Sequence, residues 1–343
     1  MLTNLNNSTA FFTDDKLTHT GKIPLTGELR AETKADFAFA IVGDRTGIAV
    51  PGVFESAMQA VKSLQPDFVV SVGDLVEGYC SDAEEAHEEW DEIDSLIGAL
   101  SLPFFQTIGN HDYSGNKFMR DVWRERKGSE YYAFRRHDCL FLVVNTEPSK
   151  EGEPGEFEFW RRYIRSIRRE QERFQELTTQ FLEAYHRNLE AAGEHPYRET
   201  AGFPTIDDGQ IEFFREVLSH NQDVRWTFVF MHQPGWKTNV RQYERLMGML
   251  QGRSYTVAAG HLHYVELSEE DGNPHIQVGS AGAYNSHAES IYGGKPSVKD
   301  GNFSGKGTPP CILWVSMKDG TPSVSVIPLH AFASVEGYKR SAD

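Results

Sequence analysis

Val72-Gly73-Asp74-Leu75-Val76-Glu77-Gly78 is the stretch whose reading decides the fold. The apolar run Phe68-Val69-Val70-Ser71-Val72 leads into it and predicts a buried strand. The strand stops at Gly73, and Asp74 follows at once. A carboxylate at the carboxyl end of a buried strand stands where α/β sheets bind their ligands.

The same arrangement recurs along the chain. Phe37 to Val42 runs into Gly43-Asp44, Pro103 to Ile108 into Gly109-Asn110-His111-Asp112, and Tyr255 to Ala259 into Gly260-His261-Leu262-His263. A fifth run, Trp226 to Met231, ends in His232 without the glycine. The donors at these strand ends are Asp, Asn and His, a mixture that suits borderline divalent metals. Glycine before the ligand lets the backbone turn tightly and leaves room for an ion. Extended backbone from 261 to 263 would point His261 and His263 to one side, so that they serve adjacent ions.

Taken in order, Gly-Asp, Gly-Asp, Gly-Asn-His-Asp, His and Gly-His-x-His resemble the motifs of the calcineurin-like metallophosphoesterases. The resemblance covers residues 36–330. It implies a four-layer α-β-β-α sandwich of two mixed sheets. Residues 1–35 then read as an amino-terminal tail or arm, and 331–343 as a carboxyl-terminal tail. It also implies two divalent or trivalent metal ions, from manganese, iron or zinc. Asp44, Asp74 and His263 would hold the first, and Asp74, Asn110, His232 and His261 the second. His111 would donate a proton to the leaving group, with Asp112 orienting its ring. The activity implied is hydrolysis of a small phosphomonoester or phosphodiester by a metal-bridging hydroxide.

The chain departs from the family at one place. The usual first motif is Asp-x-His; here it is Asp44-Arg45-Thr46. A neutral threonine is a much poorer ligand than imidazole. Thr46 thus binds weakly, or a water takes the place, or the first site is labile. Purple acid phosphatases also lack that histidine, but they carry a tyrosine three residues after the bridging aspartate. Glu77 stands there, so that branch does not fit, and Glu77 reads as a structural acid behind the ligands, with direct ligation of a metal as the alternative. The departure motivates an alternative: a binding protein without catalysis on the same scaffold. Around the ligands, Arg45 reads either as a grip on a phosphate oxygen or as a partner of an acid such as Glu77. Tyr113 and Trp236 read as the wall of the leaving-group pocket or as core.

Composition narrows the partners. The formal net charge is −16 over 343 residues, which disfavours a long nucleic-acid backbone. The ligands span Asp44 to His263, so one domain must contain them all. Cys80, Cys139 and Cys311 are odd in number and far apart, and point to a reducing compartment or to burial. Met1 to Leu17 has neither a basic nor an apolar region of a signal peptide, and no apolar stretch reaches spanning length. The expectation is a cytoplasmic protein with no membrane partner.

Helical spacing of Phe54, Ala57, Met58, Val61 and Leu64 predicts a helix ended by Gln65-Pro66. The acidic stretch Asp82 to Asp94, with Trp90, Ile93, Leu96 and Ile97, predicts an amphipathic helix. Tyr131 to Phe134 and Cys139 to Asn145 predict a hairpin, as do Cys311 to Met317 and Ser323 to Leu329. Asp207 is placed to cap a helix over Ile211 to Leu218. Residues 148–207 are too long for a connection and predict one or two helices over Phe157 to Ala192, a cap-like insertion. Arg161, Arg162, Arg165, Arg168 and Arg169 form a basic band there, either paired with glutamates or turned to substrate phosphates. His275 and His287 belong to no motif and read as satisfied or surface histidines.

Overall fold

The computed structural model describes residues 2–4, 9–14, 22–29, 36–114, 116–147, 154–191, 205–238, 241–284, 297–299, 302–304, 308–318 and 320–329. Strands β1 (Leu2–Asn4), β2 (Thr9–Phe12), β3 (Leu25–Thr26) and β4 (Phe37–Val42) come first. Helix α1 (Val53–Leu64), β5 (Phe68–Ser71), α2 (Ala83–Gly98), β6 (Phe104–Phe105), the one-turn α3 (Asn110–Tyr113) and α4 (Lys117–Arg126) follow. The hairpin β7 (Tyr132–Arg136) and β8 (Cys139–Val143) leads to α5 (Pro154–Arg169) and α6 (Phe174–Ala191). Next are α7 (Asp208–His220), β9 (Trp226–Met231), α8 (Gly235–Thr238), α9 (Arg241–Gly248), β10 (Tyr255–Ala259), β11 (Glu266–Glu270) and β12 (Asn273–Gln277). A short ribbon, β13 (Ser297–Lys299) and β14 (Asn302–Ser304), precedes the hairpin β15 (Cys311–Lys318) and β16 (Thr321–Pro328).

One sheet has the order β1-β2-β7-β8-β9-β10-β12-β11, the other β16-β15-β4-β5-β6-β3. Each has a parallel block at its centre: β8, β9, β10 and β12 in the first, β4, β5 and β6 in the second. These strands read as near-continuous apolar runs because both of their faces are covered. Alternation then divides the residues between layers. Phe39, Ile41, Phe68 and Val70 meet Phe141, Val143, Phe228 and Phe230 between the sheets. Ala40, Val42 and Val69 face α1 and α2. Leu140, Leu142, Val229 and Met231 face α7 and α9. The result is the expected sandwich of two mixed sheets between helices.

The middle layer is largely phenylalanine. Phe105 stacks on Phe134 at 3.9 Å, and Phe134 on Phe141 at 4.5 Å, which sutures β6 to the opposite sheet. Each such buried ring contributes roughly 1.5–3 kcal/mol by leaving water.

The cap predicted at Asp207 forms, and Asp82 supplies a second that was not predicted. Asp82 accepts Glu85 N–H at 3.0 Å, and Asp207 accepts Gln210 N–H at 2.8 Å. Three expectations change. The segment before residue 36 contributes strands to both sheets, β2 pairing with β7 and β3 with β6, and Phe11 and Phe12 are buried; it is more than a docked arm. The third strand is short: ladder pairing ends at Phe105, and the chain reaches the site through single bonds such as Gln106 N–H to the Pro24 carbonyl at 2.9 Å. Edge strand β11, with the polar sequence ELSEE, carries no apolar pattern and escaped the reading.

The basic segment forms two helices. Ile164, Ile167, Leu177 and Phe181 pack together and onto Ile48 and Tyr79. Arg165 pairs with Glu85, and Arg168 with Glu89 and Glu92, which ties α5 to α2. Cys80, Cys139 and Cys311 are free and buried. Among the described residues no helix is long and apolar enough to cross a membrane. His287 and residues 331–343 lie outside the described residues.

Candidate metal centre

The parallel strands of both sheets end at one edge, and their next residues converge there. Asp74 Oδ2 lies 3.2 Å from His232 Nε2, and Asp44 Oδ2 lies 4.0 Å from His263 Nε2. Asn110 Oδ1 lies 2.9 Å from His232 Nε2 and 3.0 Å from His261 Nδ1. Two groups could each hold an ion, Asp74 with His232 and His261, and Asp44 with Asp74 and His263; within each, the donor atoms lie within 4.8 Å of one another. Asp74 belongs to both.

The glycines make this crowding possible. A Cβ on Gly109 would lie 2.1 Å from Asp74 Oδ1, and one on Gly260 2.6 Å from Asp44 Oδ1. The space they leave is thus filled by a neighbouring ligand's carboxylate, not only by an ion. Backbone strain is concentrated here as well. Asp74, His261 and His263 have φ of +58°, +74° and +56°, a region that residues with a Cβ seldom enter. His261 and His263 therefore lie in a tight turn, with Leu262 N–H donating to Gly260 O at 2.9 Å. The expected extended backbone is absent, and the turn itself brings both rings to the site.

Protonation follows from the contacts. His232 Nδ1 lies 2.8 Å from the Val72 carbonyl and donates to it, so its Nε2 lone pair faces the Asp74 and Asn110 oxygens. Lone pairs converge in this way only around a proton or a cation. Burial lowers the His232 pKa, but Asp74, Asp44 and Glu147 outweigh it and raise it well above the ordinary value. Burial raises Asp74, and the imidazoles of His232 and His111 outweigh it and hold the carboxyl below its usual range. Asp44 is pushed up to about 7 by burial, then by Asp74. His261 falls to about 3 and His263 to about 4, in both cases through burial first. The neutral imidazoles of His261 and His263 beside the ionised Asp74 form a donor set that fits divalent cations, and a cation would take the place of the proton on His232.

The support of His111 differs from expectation. Asp112 does not touch its ring. Its carboxylate accepts four backbone N–H groups, from Gly109 at 2.8 Å, Asp74 at 3.0 Å, Leu75 at 2.9 Å and Val76 at 3.1 Å. The short α3 turns Asp112 back toward the Asp74 loop, whose unpaired N–H groups need an acceptor. The His111 ring is set instead by Nδ1 donating to the Glu77 carbonyl at 2.9 Å. The Glu77 carboxylate binds the Ala49 and Ile48 N–H groups, so it is a structural acid, as its position suggested.

Arg45 turns away from an anion grip: it donates to the Leu75 carbonyl at 3.1 Å and pairs with Glu92 at 3.5 Å. Thr46 is fully buried, and its Oγ1 lacks a hydrogen-bond partner. The next residue, Gly47, abuts the His263 ring: a Cβ there would lie 2.7 Å from Cε1. Tyr113 is core, packed with Trp123 under Arg120. Trp236 packs on His275 at 5.1 Å and on Tyr243. Neither aromatic lies against His111. That role falls to Tyr79, 5.5 Å from the His111 ring, and Trp160, 5.9 Å from it. His275 is a satisfied core histidine, 2.7 Å from the Tyr243 hydroxyl.

Glu147 was missed. It is buried beyond the end of β8, and both its oxygens accept from Gln233 Nε2, at 3.2 and 3.1 Å. Burial first, and then Asp74, raises it to about 7 against the pull of His232. Asn145-Thr146-Glu147 follows a strand as the other ligands do, but it has no glycine to mark it.

Among solved structures, a dimetal phosphatase from Danio rerio is 14% identical over 85% of this chain and 96% of its own, with a TM-score of 0.54. The anchor in the inner membrane complex of Plasmodium is 14% identical over 88% and 87%, with a TM-score of 0.49. At such identity the likeness to the dimetal phosphatase concerns the fold alone. No curated protein sequence matches the chain. The calcineurin-like phosphoesterase family model matches residues 37–265, which contain every converging donor, and the chain therefore belongs to the calcineurin-like phosphoesterase family.

Proposed function

We propose that the chain hydrolyses a small phosphomonoester or phosphodiester, using two divalent cations drawn from manganese, iron or zinc. The observation that carries this reading is Asp74, a carboxylate shared by two converging donor groups. Asp44, Asp74 and His263 hold one cation, and Asp74, Asn110, His232 and His261 the other. Such a pair acts as a Lewis acid on the phosphoryl oxygens and lowers the pKa of water to that of a nucleophile at neutral pH.

The chain's own residues do the rest. Asp112 and the Asp74 carbonyl, which accepts Arg45 and Thr46 N–H at 3.0 and 3.1 Å, keep the shared carboxylate in its strained backbone. Burial lowers the His111 pKa, but Asp74 and Glu77 outweigh it and raise it, so the imidazolium hydrogen-bonds through its Nδ1 proton to the Glu77 carbonyl and keeps one on Nε2 to donate to the leaving oxygen. Tyr79 and Trp160 wall that side against water and give the leaving group an apolar surface. The α5–α6 hairpin beside them supports a small substrate, and the charge of −16 argues against a long nucleic acid.

The test is hydrolysis of an aryl phosphate monoester and diester by metal-stripped protein resupplied with manganese, with Asp74→Asn alongside. Turnover that requires both the metal and Asp74 supports the reading, and the preferred ester directs the substrate search. Full activity in Asp74→Asn would overturn the shared-carboxylate assignment. Silence on both esters with folded protein would favour a scaffold that binds without catalysing.

A further inference from the structure

We propose that the groove between α5 and α6 is a second site, which binds a small ligand carrying two or more phosphate groups. A cavity of about 870 Å³ opens there, and none of its lining residues is a candidate metal ligand. Arg161, Arg162, Arg165 and Arg169 line it from α5 and Arg187 from α6, against the single acid Glu158. This concentration of positive charge stands in a chain of formal charge −16.

Helical spacing separates this face from the one that packs. Positions 158, 162, 165 and 169 share one stripe, while Trp160, Ile164 and Ile167 turn toward Ile48 and Tyr79. Some of the guanidiniums are neutralised. Arg165 reaches Glu85, Arg161 lies 3.6 Å from Glu158, and Arg187 lies 3.9 Å from Glu183 on the exposed surface. Among the described residues Arg162 and Arg169 have no carboxylate partner. Arg161 Nε and Arg165 Nη1 are buried donors without an acceptor. The crowding is felt electrostatically, since burial and then the Arg169 charge lower the Arg165 pKa.

An anion in the groove relieves both the repulsion and the missing acceptors. Guanidinium forks match phosphate oxygens in pairs. One phosphate, with a charge of about −2 at most, balances Arg162 and Arg169 but leaves Arg161 Nε and Arg165 Nη1 without acceptors, so the ligand class is a polyphosphate. Phe159 and Tyr163 complete the lining and offer an apolar wall to an organic body attached to it.

The experiment is calorimetric titration of the full-length chain with tripolyphosphate, pre-equilibrated with magnesium so that it strips no metal from the protein. Wild type is expected to show one saturable site that orthophosphate fills at least tenfold more weakly. Arg162→Ala/Arg169→Ala should weaken binding at least tenfold, and the lysine pair Arg162→Lys/Arg169→Lys by less. Arg215→Ala/Arg241→Ala, an equal loss of charge on other helices, should leave binding unchanged. Circular dichroism checks that each variant folds. No binding at millimolar titrant overturns the proposal. So does an unchanged isotherm in Arg162→Ala/Arg169→Ala, which would put the anion at the metal centre. Equal weakening in Arg215→Ala/Arg241→Ala would reduce the site to diffuse attraction and overturn it too.

Discussion

The Oδ2 of Asp112 accepts the backbone N–H of Asp74 at 3.0 Å. The residue after His111 thus holds the shared carboxylate's own backbone, not the imidazole beside it. Asp74 sits at φ +58°, and such strain persists only where surrounding bonds over-determine it.

Asp112→Asn should therefore act on metal binding. An amide cannot accept the same four N–H groups, and manganese affinity should fall about 10- to 100-fold. His111→Ala should keep the metal and lower turnover about 10²- to 10⁴-fold. Equilibrium dialysis with metal analysis, run beside kinetics, separates the two. If Asp112→Asn kept full metal content and lost only turnover, Asp112 would serve His111 after all.

Gly109→Ala should cost the site its metal. The φ of Gly109 is −110°, which any residue adopts, so only space forbids a side chain. The added methyl would meet Asp74 Oδ1 at 2.1 Å. Manganese binding should weaken at least about tenfold, and stability should fall by about 1–3 kcal/mol from overpacking. Dialysis and thermal melting read the two effects. Normal manganese binding in this variant would show that Asp74 does not hold its carboxylate in the Gly109 notch.

Thr46 tests the family departure. Its Oγ1 is buried without a partner, so Thr46→Val should leave the metal-free fold as stable, or up to about 1 kcal/mol more so. Thr46→His should raise occupancy of the first site at limiting manganese, because imidazole replaces a poor donor. Mass spectrometry under native conditions counts the ions per chain. An unchanged count would place residue 46 away from the metal.

Glu89 links stability to pH. Burial raises its carboxyl to about 7, although Arg168 and the Gly78 N–H pull it down. The folded chain then keeps a proton that the unfolded chain releases near 4.5. The stability it contributes is full below that value and is lost as pH rises through about 7. Between about pH 5 and 8, wild type should lose up to about 3 kcal/mol relative to Glu89→Gln, which does not titrate. Urea unfolding across that range measures the difference, and parallel profiles would show that Glu89 titrates alike in both states.

What the sequence determined by itself was local and repetitive. Strands β4, β5, β9 and β10 are apolar runs long enough to need cover on both faces, and each ends in a polar donor, usually after glycine. Those rules act over a few residues, so the strands, the helix cap at Asp207, and the six donors from Asp44 to His263 were legible in order. The polar edge strand β11 was not, because it buries little and shows no alternation of apolar residues. Neither was Glu147, which lacks the glycine signal.

The tertiary structure alone decided where side chains separated by many residues point. Asp112 meets the backbone of residues 74–76, Arg45 meets Glu92, and Tyr79 meets Trp160 only because helices and turns rotate them toward one another. Tyr113 and Trp236 stand beside motif residues in sequence but turn into the core, since successive residues of a turn leave in different directions. The arginine band shows both levels. Its charge was plain in the chain, but which guanidiniums find glutamates on α2 and which face the groove depends on how α5 is rotated against its neighbours. That rotation is set by burying Ile164 and Ile167 on Ile48 and Tyr79, a packing choice that sequence spacing does not contain.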